Sequence, residues 1–189
     1  MMNGRAIFRY FSFAICIIKF MSKLLPRSLA VFLFDCSSSI PTRLGAFIRY
    51  VLLCRISNNI GNNVYVGRYG IFKNLRGLSI GNNVSLHDYC YVDAKGGISI
   101  GDEVSIAHCC SLLSFDHVYV DGEDIPIKYK GIILKEINIE RDVWIGCGCR
   151  VLCGSQIKTK VVVAANSVVK GTLESGLYAG SIAKKIKDI

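Results

Sequence analysis

The stretch SLLSFDHVYVDGEDIPIKYKG, residues 111–131, holds His117, one of three histidines in a chain of 189 residues. A histidine next to an acid, here Asp116, in a polar segment has the makings of a general base. Imidazole titrates near pKa 6.5, which suits it to take a proton from a hydroxyl as that oxygen attacks a carbonyl. Asp116 or a backbone carbonyl would hold the second ring nitrogen and fix the tautomer. The other histidines are His87, directly after Leu86, and His108, two after Ile106. None of the nine cysteines falls in a Cys-x-x-Cys or Cys/His spacing suited to zinc. Cys147, Cys149 and Cys153 are spaced too irregularly for a closed tetrahedral site.

A base needs a scaffold, and the chain around this segment keeps a period of six. Aliphatic residues stand at Ile60 and Val66; at Ile80, Leu86 and Val92; at Ile100, Ile106 and Leu112; then at Ile139, Ile145, Val151, Ile157, Val163 and Val169. Four residues after most of them comes a small or β-branched side chain: Val64, Val84, Cys90, Val104, Cys110, Val143, Cys149, Ser155, Val161 and Ser167. A helix would repeat at three and four, and a flat sheet at two. Six predicts short strands that each turn a corner and stack, burying one aliphatic column. Gly61, Gly81 and Gly101 suit corners where a side chain would clash or φ must be positive. From Leu112 to Ile139 the step is 27, where the beat would have six. A loop over 114–136 is predicted to leave the coil, ordered by its IPI and GIIL segments, and loops of that length are usually functional.

The period, with IGDEVSIAHC, DVWIGCG, VAANSVV and the tail AGSIAKKIK, resembles the hexapeptide-repeat acyltransferases over roughly residues 56–187. It is most similar to maltose and galactoside O-acetyltransferases and their relatives in surface-polysaccharide synthesis. The resemblance implies an all-β fold, a left-handed parallel β-helix, with an N-terminal helical extension and a protruding active-site loop. It places a catalytic histidine sixteen residues after a coil glycine, the interval from Gly101 to His117. It also implies a homotrimer with sites between adjacent coils, and acetyl-CoA as co-substrate. In such enzymes an oxyanion is met by a backbone N–H after the WIG segment, here that of Cys147.

The coenzyme contacts the resemblance implies are Trp144 and Cys147 at the pantetheine slot, Ala165 and Ser167 at a turn along the pantetheine arm, and Lys170, Lys184 and Lys187 near the phosphates. His87 stands where the sugar acetyltransferases have an asparagine that contacts the acetyl or acceptor group, and Asp116 joins it as an acceptor-side candidate. His108 reads as structural or rim-lining. At 182 an isoleucine replaces the family's proline, and Lys184 replaces an arginine, giving a point charge in place of a fork.

Composition agrees with one domain and an extension: residues 1–56 apolar, basic and helical, 57–170 the coil, and 171–189 a tail. Cysteine at coil positions serves as a small hydrophobe, and unpaired thiols imply a cytoplasmic chain. Residues 1–60 carry +7 of the total charge of +9. In IFRYFSFAICIIKFMSKLL, residues Arg9, Ser12, Cys16, Lys19 and Lys23 form a narrow polar stripe on an apolar helix. That helix suits either a cap on the coil's strand edges or peripheral contact, through residues 5–55, with the inner face of the cell membrane. Its uncharged run is too short to span a bilayer. No groove-reading or aromatic-interleaved basic motif points to nucleic acid.

The resemblance implies transfer of acetyl from acetyl-CoA to a carbohydrate hydroxyl, and no metal is expected. The acceptor would be a free sugar, a nucleotide sugar or a lipid-linked glycan. The alternatives are a zinc-dependent hydratase on the same fold, which needs three converging histidines, and a non-catalytic β-helical scaffold.

Overall fold

The computed structural model describes residues 12–119 and 124–188. From Asn59 onward the chain visits three faces in turn. Face one holds the strands Asn59–Ile60, Leu78–Ile80, Ile98–Ile100, Ile137–Ile139, Gln156–Ile157 and Thr172–Leu173. Face two holds Tyr65–Val66, Ser85–Leu86, Ser105–Ile106, Trp144–Ile145, Val161–Val163 and Gly176–Ala179. Face three holds Ile71–Lys73, Tyr91–Asp93, Ser111–Leu113, Arg150–Val151 and Val168–Val169. Within each face the neighbours named are parallel and in register, so Ile60 lies beside Ile80, then Ile100, Ile139 and Ile157. This is a three-faced parallel β-helix.

Register explains the sequence pattern. Both inner sets are buried: the beat residues, from Val66 to Val169, and the small side chains, from Val64 to Ser167. Each fully buried Leu, Ile or Val contributes roughly 1.5–3 kcal/mol of apolar transfer, and stacking makes one continuous core from coils that could not fold alone.

We name the corners by the faces they join: the first corner links face one to two, the second links two to three, and the third links three to one. The repeated IGNNV builds the first corner. A Cβ on Gly61 would lie 2.5 Å from the Gly81 backbone, and one on Gly81 would lie 2.8 Å from Gly101. Steric room is therefore what these glycines supply. Positive φ falls two residues later, on Asn63, Asn83 and Glu103, where asparagine tolerates it. The asparagines also ladder, with Asn63 Nδ2 donating to Asn83 Oδ1 at 2.8 Å and Asn83 Nδ2 to Glu103 Oε1 at 2.7 Å.

At the third corner the early coils are loose. Ile60 to Ile80 to Ile100 takes twenty residues per coil, whereas Ile139 to Ile157 takes eighteen. The long excursion leaves at this same corner, after Leu113. Coil pairing also runs past residue 170, through Thr172–Leu173 and Gly176–Ala179, before Lys184–Lys187 folds back antiparallel on that last strand. The step from Ile157 to Leu173 is only sixteen residues, so the hexad ceases to announce strands that still pair.

Three helices precede the coil: α1 (Ser12–Ser22), α2 (Arg27–Cys36) and α3 (Thr42–Ile56). Helix α3 seals the first coil, burying Tyr50, Leu53 and Ile56. Its buried Arg49 donates to the carbonyls of Val66 and Ser37, and Tyr50 OH donates to Gly61. Phe34 of α2 meets Phe72 edge-on, with centroids 5.4 Å apart. Arg9 of the expected stripe lies outside the described residues. Lys19 turns inward, donating to Tyr50 OH at 3.1 Å, while Ser12, Cys16 and Lys23 of the stripe stay exposed, as do the apolar Phe13 at 80% and Phe20 at 66%; Ile15 is the residue α1 buries. The expected basic stripe is therefore split, with Lys19 toward α3 and Lys23 toward solvent.

Candidate active site

The excursion is a β-hairpin. Phe115–His117 pairs antiparallel with Ile132–Leu134, so that Phe115 opposes Leu134 and His117 opposes Ile132. Its stem is tied to the coil. The buried Ser114 hydroxyl donates to Asp93 O and accepts from Gly96 N, Ser114 O accepts from Lys135 N, and Lys135 O accepts from Gly154 N. A Cβ on Gly96 would lie 2.1 Å from Ser114 O, so glycine is needed where the hairpin leaves. These anchors were not singled out from sequence, although the paired Gly96–Gly97 was a signal for close backbone approach.

His117 is exposed near the hairpin base, its ring 6.3 Å from that of Phe115. Asp116 does not reach back to the ring nitrogen through this contact. Its Oδ1 accepts from the backbone N–H of His117 at 2.8 Å.

The coenzyme candidates line a different border. Trp144 stands 54% exposed on face two, between Ser105 and Val162 of the adjacent coils. Cys147 and Ala165 follow at the second corner, on adjacent coils, with Asn166 N donating to Cys147 O at 2.8 Å. Ser167 is fully buried, its hydroxyl accepting from Gly180 N and its carbonyl from Arg150 N. Lys170 is exposed at the third corner, directly after Val168–Val169 of face three, and Lys184 and Lys187 are exposed on the strand that folds back on Gly176–Ala179. Of the three cations, Lys184, opposite Ala179, lies at the second-corner end of face two, whereas Lys187, opposite Leu177, lies toward the first corner.

His87 and His108 also lie on the second corner, exposed on successive coils. The ring of His87 is 5.7 Å from that of Tyr65, and His108 O accepts from Gly148 N. His117 is set apart from both by face three, a width of about 13 Å over Cys110–Ser114 at ~3.3 Å per residue. Among the described residues, no three His, Cys, Asp or Glu side chains cluster as metal ligands. One protomer therefore puts His117 on one border of face three, and Cys147 and Ala165 on the other.

All nine cysteines are free thiols. The column Cys90, Cys110 and Cys149 is buried, each Sγ donating to the carbonyl of a neighbouring coil: Ala107, Gly146 and Ala164.

No family model matches the chain. A probable acetyltransferase of Mycobacterium tuberculosis is 35% identical over 83 residues, 43% of this chain. The match spans 27% of that relative, about a quarter of its length. A hexapeptide-repeat-containing acetyltransferase from Vibrio cholerae, complexed with acetyl coenzyme A, is 25% identical with a TM-score of 0.74, covering 86% of each chain. A maltose O-acetyltransferase from Clostridium difficile 630, at 19% identity, superposes with a TM-score of 0.67, again over 86% of each chain. The resemblance carried by the coil motifs is matched by these structural neighbours, and the chain has the fold of the hexapeptide-repeat acetyltransferases.

Proposed function

We propose that this chain is an acetyl-CoA-dependent O-acetyltransferase acting on a carbohydrate hydroxyl in surface-polysaccharide biosynthesis. The observation that carries the reading is the anchored hairpin, which interrupts a regular coil to present His117. In this reading the His117 imidazole takes the proton of the acceptor hydroxyl as its oxygen bonds to the thioester carbon. The backbone N–H of Cys147 faces the oxyanion that forms. As the carbon–sulfur bond breaks, the imidazolium returns its proton to the departing thiolate, so His117 ends as it began. Acetyl-CoA supplies the acyl group and a good leaving group. Trp144, Ala165 and the turn before Ser167 would hold the pantetheine arm, with Lys170, Lys184 and Lys187 at the phosphates.

Because face three separates His117 from Cys147, the site is completed by a second copy, as in a homotrimer with sites between coils. The hairpin carries exposed Ile127, Tyr129 and Leu134, an apolar surface suited to such contact. Among the described residues no helix is long and apolar enough to cross a membrane. We assign the chain to the cytoplasm, with the outward face of α1 as a peripheral membrane contact.

The test is a pair of substitutions. His117→Ala is expected to lower kcat by about 10²–10⁴, the usual worth of general-base catalysis, with acetyl-CoA affinity near wild type. Cys147→Ala should keep most activity, since the backbone serves and no acyl-cysteine forms. Equal turnover in His117→Ala, or a trapped acetyl-Cys147, would overturn the mechanism.

A further inference from the structure

Along the second corner the positive-φ position is filled, coil by coil, by Tyr69, Tyr89, Cys109, Gly148 and Asn166. Left-handed backbone suits glycine and asparagine and resists bulky side chains. At the equivalent place on the first corner stand, coil by coil, Asn63, Asn83, Glu103, Asp142 and Lys160, none of them aromatic. Two successive tyrosines here sit against that preference, and strain of this kind gathers at functional sites.

The two rings stack, with centroids 5.2 Å apart and planes 19° from parallel. That separation is close to the ~4.8 Å spacing of adjacent strands, so the rings pile along the coil axis. Arg68 flanks the stack, its guanidinium 5.7 Å from the Tyr69 ring centroid and 3.6 Å from the Asp88 carboxylate. Tyr89 is the more open ring, 57% exposed against 43% for Tyr69. On the next two coils the ladder drops to Cys109 and Gly148, which leaves a step beside Tyr89. Arg150 borders that step, donating from Nη1 to the carbonyls of Cys109 and Gly148 at 2.9 and 2.8 Å. His87 precedes Tyr89 by two residues on the same corner.

We propose that Tyr89, backed by Tyr69, is the platform of the acceptor subsite, on which a sugar ring stacks in the step beside Cys109 and Gly148. This rests on the acetyltransferase reading and specifies its acceptor as a ring-bearing glycan, as distinct from an open-chain polyol. The C–H face of a pyranose matches an aromatic face, while its rim hydroxyls need the polar groups that His87 and Arg150 bring. A ring seated one coil beyond Tyr89 lies about 4.8 Å, one strand spacing, from the coil that carries Cys147. A hydroxyl on it is then within reach of an acyl carbonyl held there.

The experiment uses the full chain, labelled and applied to a glycan array, with Tyr89→Asn and Tyr89→Phe beside wild type. Acetyl-CoA binding by calorimetry and Tm are measured for all three. Tyr89→Asn suits the left-handed backbone, so it is expected to hold its Tm or raise it and to bind acetyl-CoA normally. Its glycan binding should fall tenfold or more, while Tyr89→Phe stays within threefold of wild type. The proposal is overturned if Tyr89→Asn keeps its glycan binding, or if it loses Tm together with binding, which would make the ladder structural. It is also overturned if wild type binds acetyl-CoA yet no glycan on the array. Absence of acetyl-CoA binding in wild type would instead sink the acetyltransferase reading, and the subsite with it.

Discussion

The Ser114 hydroxyl donates to Asp93 O at 2.8 Å while accepting Gly96 N–H at 2.9 Å, and so roots the hairpin three residues before His117, the proposed base. Ser114→Ala leaves Gly96 N–H without its partner, at a cost of about 1–3 kcal/mol for an unsatisfied group. A loosened stem should also misplace His117. We expect a lower urea midpoint and a several-fold fall in kcat, with acetyl-CoA affinity unchanged. Wild-type rates and stability in this variant would show that the stem does not position the base.

Separation of His117 from Cys147 by face three gives a sharper test of assembly. His117→Ala and Ala165→Arg, the latter filling the proposed pantetheine turn, should each cut activity at least a hundredfold alone. Refolded together as mixed trimers, they should restore about a quarter of the sites, those that pair an intact base with an intact edge across an interface. Tagged mixed oligomers that remain inactive would place both groups of a site in one protomer.

Thiol chemistry should follow burial. Alkylation requires the thiolate, and burial pushes Cys90 up to about 11. Cys110 is raised as well, by its contact with the Cys149 sulfur and by burial. Iodoacetamide at pH 8 should therefore mark the exposed Cys16, Cys36 and Cys109 and spare Cys90 and Cys110. Labelling of Cys90 should rise only as pH climbs toward 11, or when the coil unfolds. Rapid modification of Cys90 in folded protein at pH 8 would contradict its place in the core.

The coil was readable because side-chain size repeats every six residues, and that repeat is the same physical fact as the buried columns of Val64 to Ser167 and Val66 to Val169. Gly61, Gly81 and Gly101 were half readable, since composition points to a special backbone position without saying whether space or φ is the constraint. The hairpin was not readable as such. Phe115 and Leu134 pair across nineteen positions, and only the Asp121–Gly122 dipeptide offered a turn signal. Tyr69 and Tyr89 looked ordinary because a positive φ leaves no mark on a tyrosine's identity. Lys19 belonged to a recognisable stripe, but periodicity does not say which side of a helix finds a partner.

With Lys19 bonded to Tyr50 OH, α1 exposes the large apolar Phe13, Phe20 and Met21, and Leu24 is exposed just beyond it. Burying such side chains in the acyl boundary is worth about 1.5–3 kcal/mol each when complete, whereas a basic residue near an anionic surface adds about 1 kcal/mol. Vesicle binding should therefore depend chiefly on the aromatic side chains. Exposed Lys23 and Arg43 should supply the smaller, salt-sensitive part. Replacing Phe13, Phe20 and Leu24 together with serine should release the protein from phosphatidylserine-containing vesicles without lowering Tm. Lys19→Glu should lower Tm instead, because it breaks the contact between α1 and α3. Sedimentation with vesicles at low and high salt separates the two. If wild type ignores the vesicles at low salt, the apolar face of α1 is a contact between copies, and the triple serine variant should then change the oligomeric state in analytical ultracentrifugation.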